Sequence, residues 1–254
     1  MIGLAAAILI AGIAYRARAL TVDGAVAAVV VGAIAFDLGG WSAAGALLTF
    51  FVTSTALGRW RRVRKETLVT AKGQRRDAGQ VLANGGAACL CMIAGRLTTH
   101  GHGTLADLIH ARALTAFVAS IAAANADTWA TEVGAALGAP ARLLSTLRLS
   151  APGTSGAVSA PGTAAAVLGA CVVAAWSPTH AALIAMAGLA GCFVDSLAGA
   201  TVQGQWRDPS DPARLTDRPP SPGARPERGH AWVNNDVVNA FCTGSAAVIA
   251  FAVG

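Results

Sequence analysis

The chain has 254 residues, of which 54% are hydrophobic and only 13% charged, with a mean hydropathy of +0.55. That balance excludes an ordinary soluble domain. The net charge of +6 is not arranged as a basic stripe interleaved with aromatics, so nucleic acid is excluded as a partner and the charge is read as topology.

Apolar runs rich in Ala, Val, Leu and Gly recur along the whole length, at 1–14, 25–36, 42–57, 80–95, 113–124, 164–176, 181–200 and 237–253. A bilayer needs about 20 residues per helix, so the shorter runs borrow polar residues at their ends. The predicted fold class is all-α: a polytopic integral membrane helix bundle of about eight transmembrane helices, seven to nine, in a single domain over 1–254. The first run lacks a basic n-region and an Ala-x-Ala site leading into a polar mature domain, so no cleaved signal peptide is expected. Cys89, Cys91, Cys171, Cys192 and Cys242 lie in apolar runs and form no Cys-x-x-Cys pair. Buried free thiols are expected, not disulfides or a zinc site.

Positive residues mark cytoplasmic loops. The densest cluster is Arg59, Arg61, Arg62, Arg64, Lys65, Lys72, Arg75 and Arg76, in a basic loop at 59–79. Placing it inside also places Arg16, Arg18, Arg142, Arg148 and the arginines of 204–230 inside, and leaves only Arg96 and Arg112 outside. Both termini are then expected outside, and every long loop cytoplasmic. The Pro- and Arg-rich stretch 204–230 has no apolar periodicity and is read as a flexible cytoplasmic loop.

Polar residues break this background in a few places, all near the cytoplasmic side. Arg76, Gln80 and Asn84 are spaced by four and share a helical face, with Lys72 and Arg75 just before them. They form a basic mouth leading to amides and suit phosphate oxygens; the other reading is orientation and lipid headgroup contact. The fifth run ends in Asn125-Ala126-Asp127-Thr128 and continues to Glu132. Asn125, Thr128 and Glu132 share one face, and Asp127 and Thr131 the adjoining one. Carboxylates of this kind suit Mg²⁺, which takes one or two and completes its shell with water and phosphate; the other reading is polar glue between helices.

Gly153-Thr154-Ser155-Gly156 with Ser159 has the composition of a phosphate-binding nest at a helix N-terminus, or of a plain Gly/Ser turn. Its spacing is not that of a P-loop. In the seventh run Gly191, Asp195 and Gly199 recur every four residues, with Ser196 adjacent and Gln203 at the end. An intramembrane carboxylate costs roughly 2.5–3.5 kcal/mol on insertion scales, and its default reading is functional. The last run opens Asn234-Asn235-Asp236 and adds Asn239 one turn on; capping explains the first two, not the last. The five histidines lie in loops or on the outer side, so histidine chemistry is not expected. What remains is carboxylates, amides, hydroxyls and cations, a set suited to phosphoryl transfer.

These blocks resemble a membrane family that includes plant phytyl-phosphate kinase and transmembrane protein 19. The resemblance is carried by Lys72-Gly73, Arg75-Arg76 and Gln80 to Gly86. It continues through Asp127-Thr128-Trp129 to Gly134, Gly153 to Ser159, Asp195-Ser196 to Gln203, and Asn234-Asn235-Asp236 to Asn239. Thr21, Gly24, Gly32 and Gly39-Gly40-Trp41 fit its N-terminal part. Many relatives have Asp or Asn where Ser155 stands, and some carry cysteine pairs after the Gln203 block that are absent here, so no metal-stapled loop is expected.

The resemblance implies a membrane kinase of a bacterial or archaeal cytoplasmic membrane, its active site facing the cytoplasm. It would transfer a phosphoryl group from a nucleoside triphosphate, CTP first, to an isoprenyl monophosphate such as phytyl or geranylgeranyl phosphate. In that reading Asp127, Glu132, Asp195 and Asp236 serve Mg²⁺. Lys72, Arg75 and Arg76 neutralise phosphates, and Asn84, Asn125, Thr128, Asn235 and Asn239 position them. Membrane lipids are the surrounding partners, and a homodimer is left open. The alternatives are a transporter or scramblase of lipid phosphates, or a non-catalytic scaffold. A CDP-alcohol phosphotransferase is excluded, because Asp23-Gly24 is not followed by that signature.

Overall fold

The computed structural model describes residues 2–60, 75–98, 103–151, 153–209 and 211–254. Its helices are α1 (Ile2–Arg16), α2 (Val22–Trp60), α3 (Ala78–Thr98), α4 (Thr104–Leu137), α5 (Ala160–Ala174), α6 (Ala181–Thr201) and α7 (Asn235–Val253). Each expected apolar run falls on a helix, two of them on α2. That helix is broken at Gly40, whose φ of 60° and ψ of −150° are open to glycine and not to other residues. Gly24 before the break and Ser54 after it both lie against Arg76, so the two halves fold back beside one another.

Four of these helices, α2, α3, α4 and α7, are long and apolar enough to cross a membrane, as is α6 together with the short 3₁₀ turn before it; α1 and α5 are apolar but shorter. The bundle is all-α in its membrane part, as expected.

The centre is α4. Almost every residue from Ala113 to Ala126 is buried, and the helix packs against α2, α3, α5, α6 and α7. Small residues make this possible, since without a Cβ the backbones approach closely. A methyl group on Gly191 of α6 would stand 2.9 Å from the Ala123 Cβ and 2.5 Å from the Cys242 carbonyl oxygen. Large apolar side chains such as Ile2, Leu90, Leu168, Met186 and Val248 point outward. That inversion suits a lipid surrounding rather than water. All five cysteines are free, but Cys171 is exposed and Cys91 only half-buried. They correct the expectation of five buried thiols: an apolar helix in this fold has a lipid face as well as a protein face.

Two small sheets cap one end. Between α4 and α5, β1 (Ala141–Leu143) pairs antiparallel with both β2 (Leu149–Ser150) and β3 (Ala157–Val158). Between α6 and α7, β4 (Trp206–Asp208) pairs with β5 (Asp211–Thr216). The second sheet corrects the reading of 204–230 as a flexible excursion. Trp206 is buried and donates from its indole to the Ala224 carbonyl at 2.9 Å. The Gln205 amide bonds Arg228 at 2.9 Å, and the His230 amide bonds Val202 at 2.9 Å. Proline and arginine content concealed a segment that is anchored by one tryptophan and by backbone pairing.

Candidate functional site

At the sheet-bearing end a cavity of about 600 Å³ opens. The C-terminal ends of α2, α4 and α6 and the N-terminal parts of α3, α5 and α7 surround it, so polar residues far apart in sequence converge. From α4 it is lined by Asp127, Thr128 and Glu132, from α6 by Asp195 and Ser196, and from α3 by Gln80 and Asn84. Gly153, Thr154, Ser155, Gly156, Ser159 and Gln203 contribute from the loops, and Asn235 and Asn239 from α7.

The carboxyl groups of Asp127 and Asp195 are in hydrogen-bonding contact. Oδ2 of Asp195 is buried with no hydrogen-bond partner. Two carboxyl groups this close share either a proton or a cation, because like charges cannot both stand there uncompensated. Glu132 lines the same cavity. Among the described residues, however, no three His, Cys, Asp or Glu side chains come together to hold a metal ion. Of the four carboxylates expected in one centre, Asp127, Glu132 and Asp195 line this cavity, and Asp127 and Asp195 are in contact.

Asp236 stands apart from the cavity lining. A Cβ added to Gly79 would lie 2.8 Å from its Oδ2, which puts the carboxylate against the first turn of α3, where the helix dipole favours negative charge. Asn234 is the N-cap of α7: its Oδ1 accepts from the amides of Asp236 and Val237 at 2.9 and 3.0 Å. Asn125 is fully buried, donating to the Gly169 carbonyl at 2.8 Å and accepting from Thr53 Oγ1 at 3.0 Å. It ties α2, α4 and α5 together. Thr128 and Glu132, expected on its face, reach the cavity because they lie nearer the helix end.

The basic mouth divides in the same way. Arg75 donates from Nε and Nη2 to the Leu20 carbonyl at 3.0 and 2.7 Å and sits over the Tyr15 ring, away from the cavity. Arg76 does line the cavity. Its Nη2 donates to Ser54 Oγ at 2.7 Å, and its guanidinium lies 5.0 Å from the Phe50 ring centroid and 5.7 Å from that of Phe51. Burial lowers its pKa to about 10, so it remains cationic at neutral pH. Lys72 lies outside the described residues.

The glycine loop is a turn and not a helix-terminal nest. After Gly153 and Gly156, with φ of 82° and 76°, comes strand β3, and α5 begins only after Ser159, whose Oγ caps the Gly162 amide at 3.3 Å. The Thr154 and Ala157 amides already donate to backbone carbonyls. Glycine is required at 156, where a Cβ would be 2.2 Å from the Ala200 nitrogen. Ser155 Oγ donates to the buried Gln203, which locks the turn onto the end of α6.

The family described as "Integral membrane protein DUF92" matches residues 5–247. The chain belongs to it. Protein PGR of Arabidopsis thaliana is 30% identical over 219 residues, covering 77% of this chain and 76% of the relative. Protein VTE6, chloroplastic, of the same plant is 26% identical over 231 residues, 87% of this chain but 61% of the relative. No solved structure matches.

In this DUF92 protein the cavity also takes in residues that sequence reasoning did not assign to a site: Arg18, Arg59, Gln205, Thr216 and Asp217. The first two read as topology signals, and the others lie in the stretch read as flexible. Arg228 is outside the lining but supports it. Its Nη2 donates to Gln205 Oε1 at 2.8 Å, to the Gly199 carbonyl at 3.1 Å and to the Ser155 carbonyl at 3.3 Å. It joins the loop, α6 and the glycine turn, and its pKa is lowered by burial. No local spacing signals a side chain that acts across three segments.

Proposed function

We propose that the protein is a Mg²⁺-dependent membrane phosphotransferase that moves the terminal phosphoryl group of a nucleoside triphosphate, CTP first, onto an isoprenyl monophosphate. The observation that carries this reading is the composition of the cavity: one carboxyl pair, Asp127 and Asp195, lines it together with Arg18, Arg59 and Arg76 and a surround of amides and hydroxyls. The kinship of the sequence blocks to a family that includes phytyl-phosphate kinase supplies the substrate class.

The donor set fits Mg²⁺, which uses one or two carboxylates and fills its shell with waters and substrate phosphates. Asp127 and Asp195 would hold it, and the orphaned Asp195 Oδ2 is the oxygen that lacks a protein partner. When bound, the ion offsets phosphate charge and fixes oxygen geometry.

The chain's own residues do the rest. Arg76, held by Ser54 and two phenylalanine rings, presents fixed positive charge to phosphate oxygens. Asn84, Asn235 and Asn239 orient those oxygens, and Arg18 and Arg59 extend the positive rim. An oxygen of the acceptor monophosphate attacks the terminal phosphorus of the triphosphate. One phosphorus–oxygen bond forms as the bond to the leaving nucleoside diphosphate breaks. The acceptor's second pKa is about 6, so its oxygen is already ionised at neutral pH and no general base is needed.

A transporter or scramblase needs polar residues continuing across the bilayer. Here they gather at one end, while the buried middle of α4 is mostly alanine. The cavity end carries Arg16, Arg18, Arg59, Arg75, Arg76, Arg142 and Arg148, so it faces the cytoplasm by the positive-inside rule.

The direct test incubates purified protein and Mg²⁺ with a panel of nucleoside triphosphates against phytyl, geranylgeranyl and longer prenyl monophosphates. Isoprenyl diphosphate is the expected product. Its absence with every pair would sink the reading.

A further inference from the structure

Beside the polar cavity lies a second, apolar groove of about 130 Å³, bounded by α1, both halves of α2, and α3. Its walls are small and apolar residues such as Ala7, Ala11, Ala28 and Ala44, and Phe36 stands near its far end. Three residues line both spaces: Arg76, Gln80 and Asn84. Arg76 marks the junction most clearly. Its guanidinium bonds Ser54, which faces the cavity, and covers Phe50 and Phe51, which face the groove. At the same junction Gln80 Oε1 is buried without a hydrogen-bond partner.

We infer that this groove holds the hydrocarbon tail of the acceptor phosphate and measures its length. The identity of the headgroup rests on the kinase reading; the groove as a tail site does not. An amphiphile with a phosphate in the cavity would find an apolar exit past Arg76, and the charge at that exit matches a phosphate.

The length follows from the helices. From Gly3 to Ala14, the groove residues of α1 span about 16 Å at 1.5 Å per residue, about the length of three to four extended isoprenoid units; at about 130 Å³ the groove seats one side of such a chain and leaves the other to lipid. Ala28 lies about 6 Å along α2 from the level of Gly24, which touches Arg76. Ala44 lies about 15 Å along α2 from the level of Ser54, which also touches it. One position is therefore near the headgroup and the other near the tail's end. Both are half-buried, so enlarging them fills the groove without replacing a core side chain.

The test uses full-length protein in detergent and geranylgeranyl monophosphate bearing a photoreactive diazirine on its last isoprene unit. Cross-links mapped by mass spectrometry are expected on the first half of α1 and around Phe36 and Ala44. Unlabelled geranylgeranyl monophosphate should displace them, whereas inorganic phosphate and a dioleoyl phosphatidic acid should not. Labels elsewhere, or displacement by phosphatidic acid, overturn the inference.

Two variants then read the ruler. Ala44→Phe is expected to raise the KM, or in a labelling format the half-saturating concentration, for geranylgeranyl phosphate about tenfold and leave farnesyl phosphate within about twofold. Ala28→Phe is expected to weaken both. Equal effects of Ala44→Phe on the two chain lengths contradict the ruler. If the groove is labelled but no diphosphate forms from any acceptor, the tail site stands and the kinase reading falls. If diphosphate forms while labels fall outside the groove, the reverse holds.

Discussion

Asp127 on α4 and Asp195 on α6 meet with their carboxyl groups in hydrogen-bonding contact, in the C-terminal parts of two alanine-rich helices. Placing one carboxyl in a membrane helix bundle is costly, and placing a second against it needs compensation from outside the pair. A shared proton or a bound cation would supply it, and under the proposed function that cation is Mg²⁺. Arg76 lines the same cavity and donates to Ser54.

Asp127→Asn and Asp195→Asn are each expected to lower kcat by at least about a hundredfold, in the range seen when one electrostatic contact to a transition state is lost. The apparent Tm in detergent should stay the same or rise, because asparagine keeps a hydrogen bond to the remaining carboxyl group and carries no charge to bury. Activity within tenfold of wild type in both variants contradicts the assignment of the pair.

Arg76→Lys keeps the charge but loses the planar fork that reaches Ser54 while lying over Phe50 and Phe51. The expected result is a KM for the acceptor phosphate about tenfold higher with a smaller change in kcat. Arg75→Lys, whose side chain serves the Leu20 carbonyl, should leave the KM within about twofold.

Two asparagines separate structure from function. Asn125→Ala strips partners from Thr53 and from the Gly169 carbonyl and is expected to cost about 1–3 kcal/mol of stability. Asn239→Ala, at the cavity, is expected to change KM and leave the apparent Tm within a degree or two. Melting curves and kinetics on the same preparations check both. A stable Asn125→Ala with impaired substrate binding would reverse the assignment.

Gly156→Ala forces a Cβ into the Ala200 backbone at a positive φ. The overpacking alone corresponds to about 1–3 kcal/mol, so a lower apparent Tm and a displaced glycine turn are expected. Gly153→Ala meets no neighbouring atom within 4 Å and bears only the backbone strain, so its loss should be the smaller of the two.

Helix positions were legible because they rest on a local property, apolar length, and even the break in α2 was marked by Gly39-Gly40. The convergence of Asp127 with Asp195 was legible as an expectation: costly residues at the ends of apolar helices have few places to go. The spacing of Asn125 with Thr128 and Glu132 gave a shared face but not depth, and depth sends Asn125 to α2 and α5 instead of the cavity. Asn234 looks like a site residue in sequence because capping and ligation use the same residue types. The order of the 204–230 segment is not legible in its sequence because it comes from Trp206 and Arg228 acting at long range, beyond any local pattern.

The central claim is best tested by one radiochemical measurement. Wild-type protein, Asp127→Asn and Asp195→Asn are each given terminally labelled CTP, Mg²⁺ and geranylgeranyl monophosphate, and label in the organic-extractable diphosphate is counted. The account predicts transfer by wild type, its loss in both variants, and its abolition by chelation with recovery on adding Mg²⁺. No labelled diphosphate from wild type with CTP or any other nucleoside triphosphate, or undiminished transfer by the variants, would contradict it.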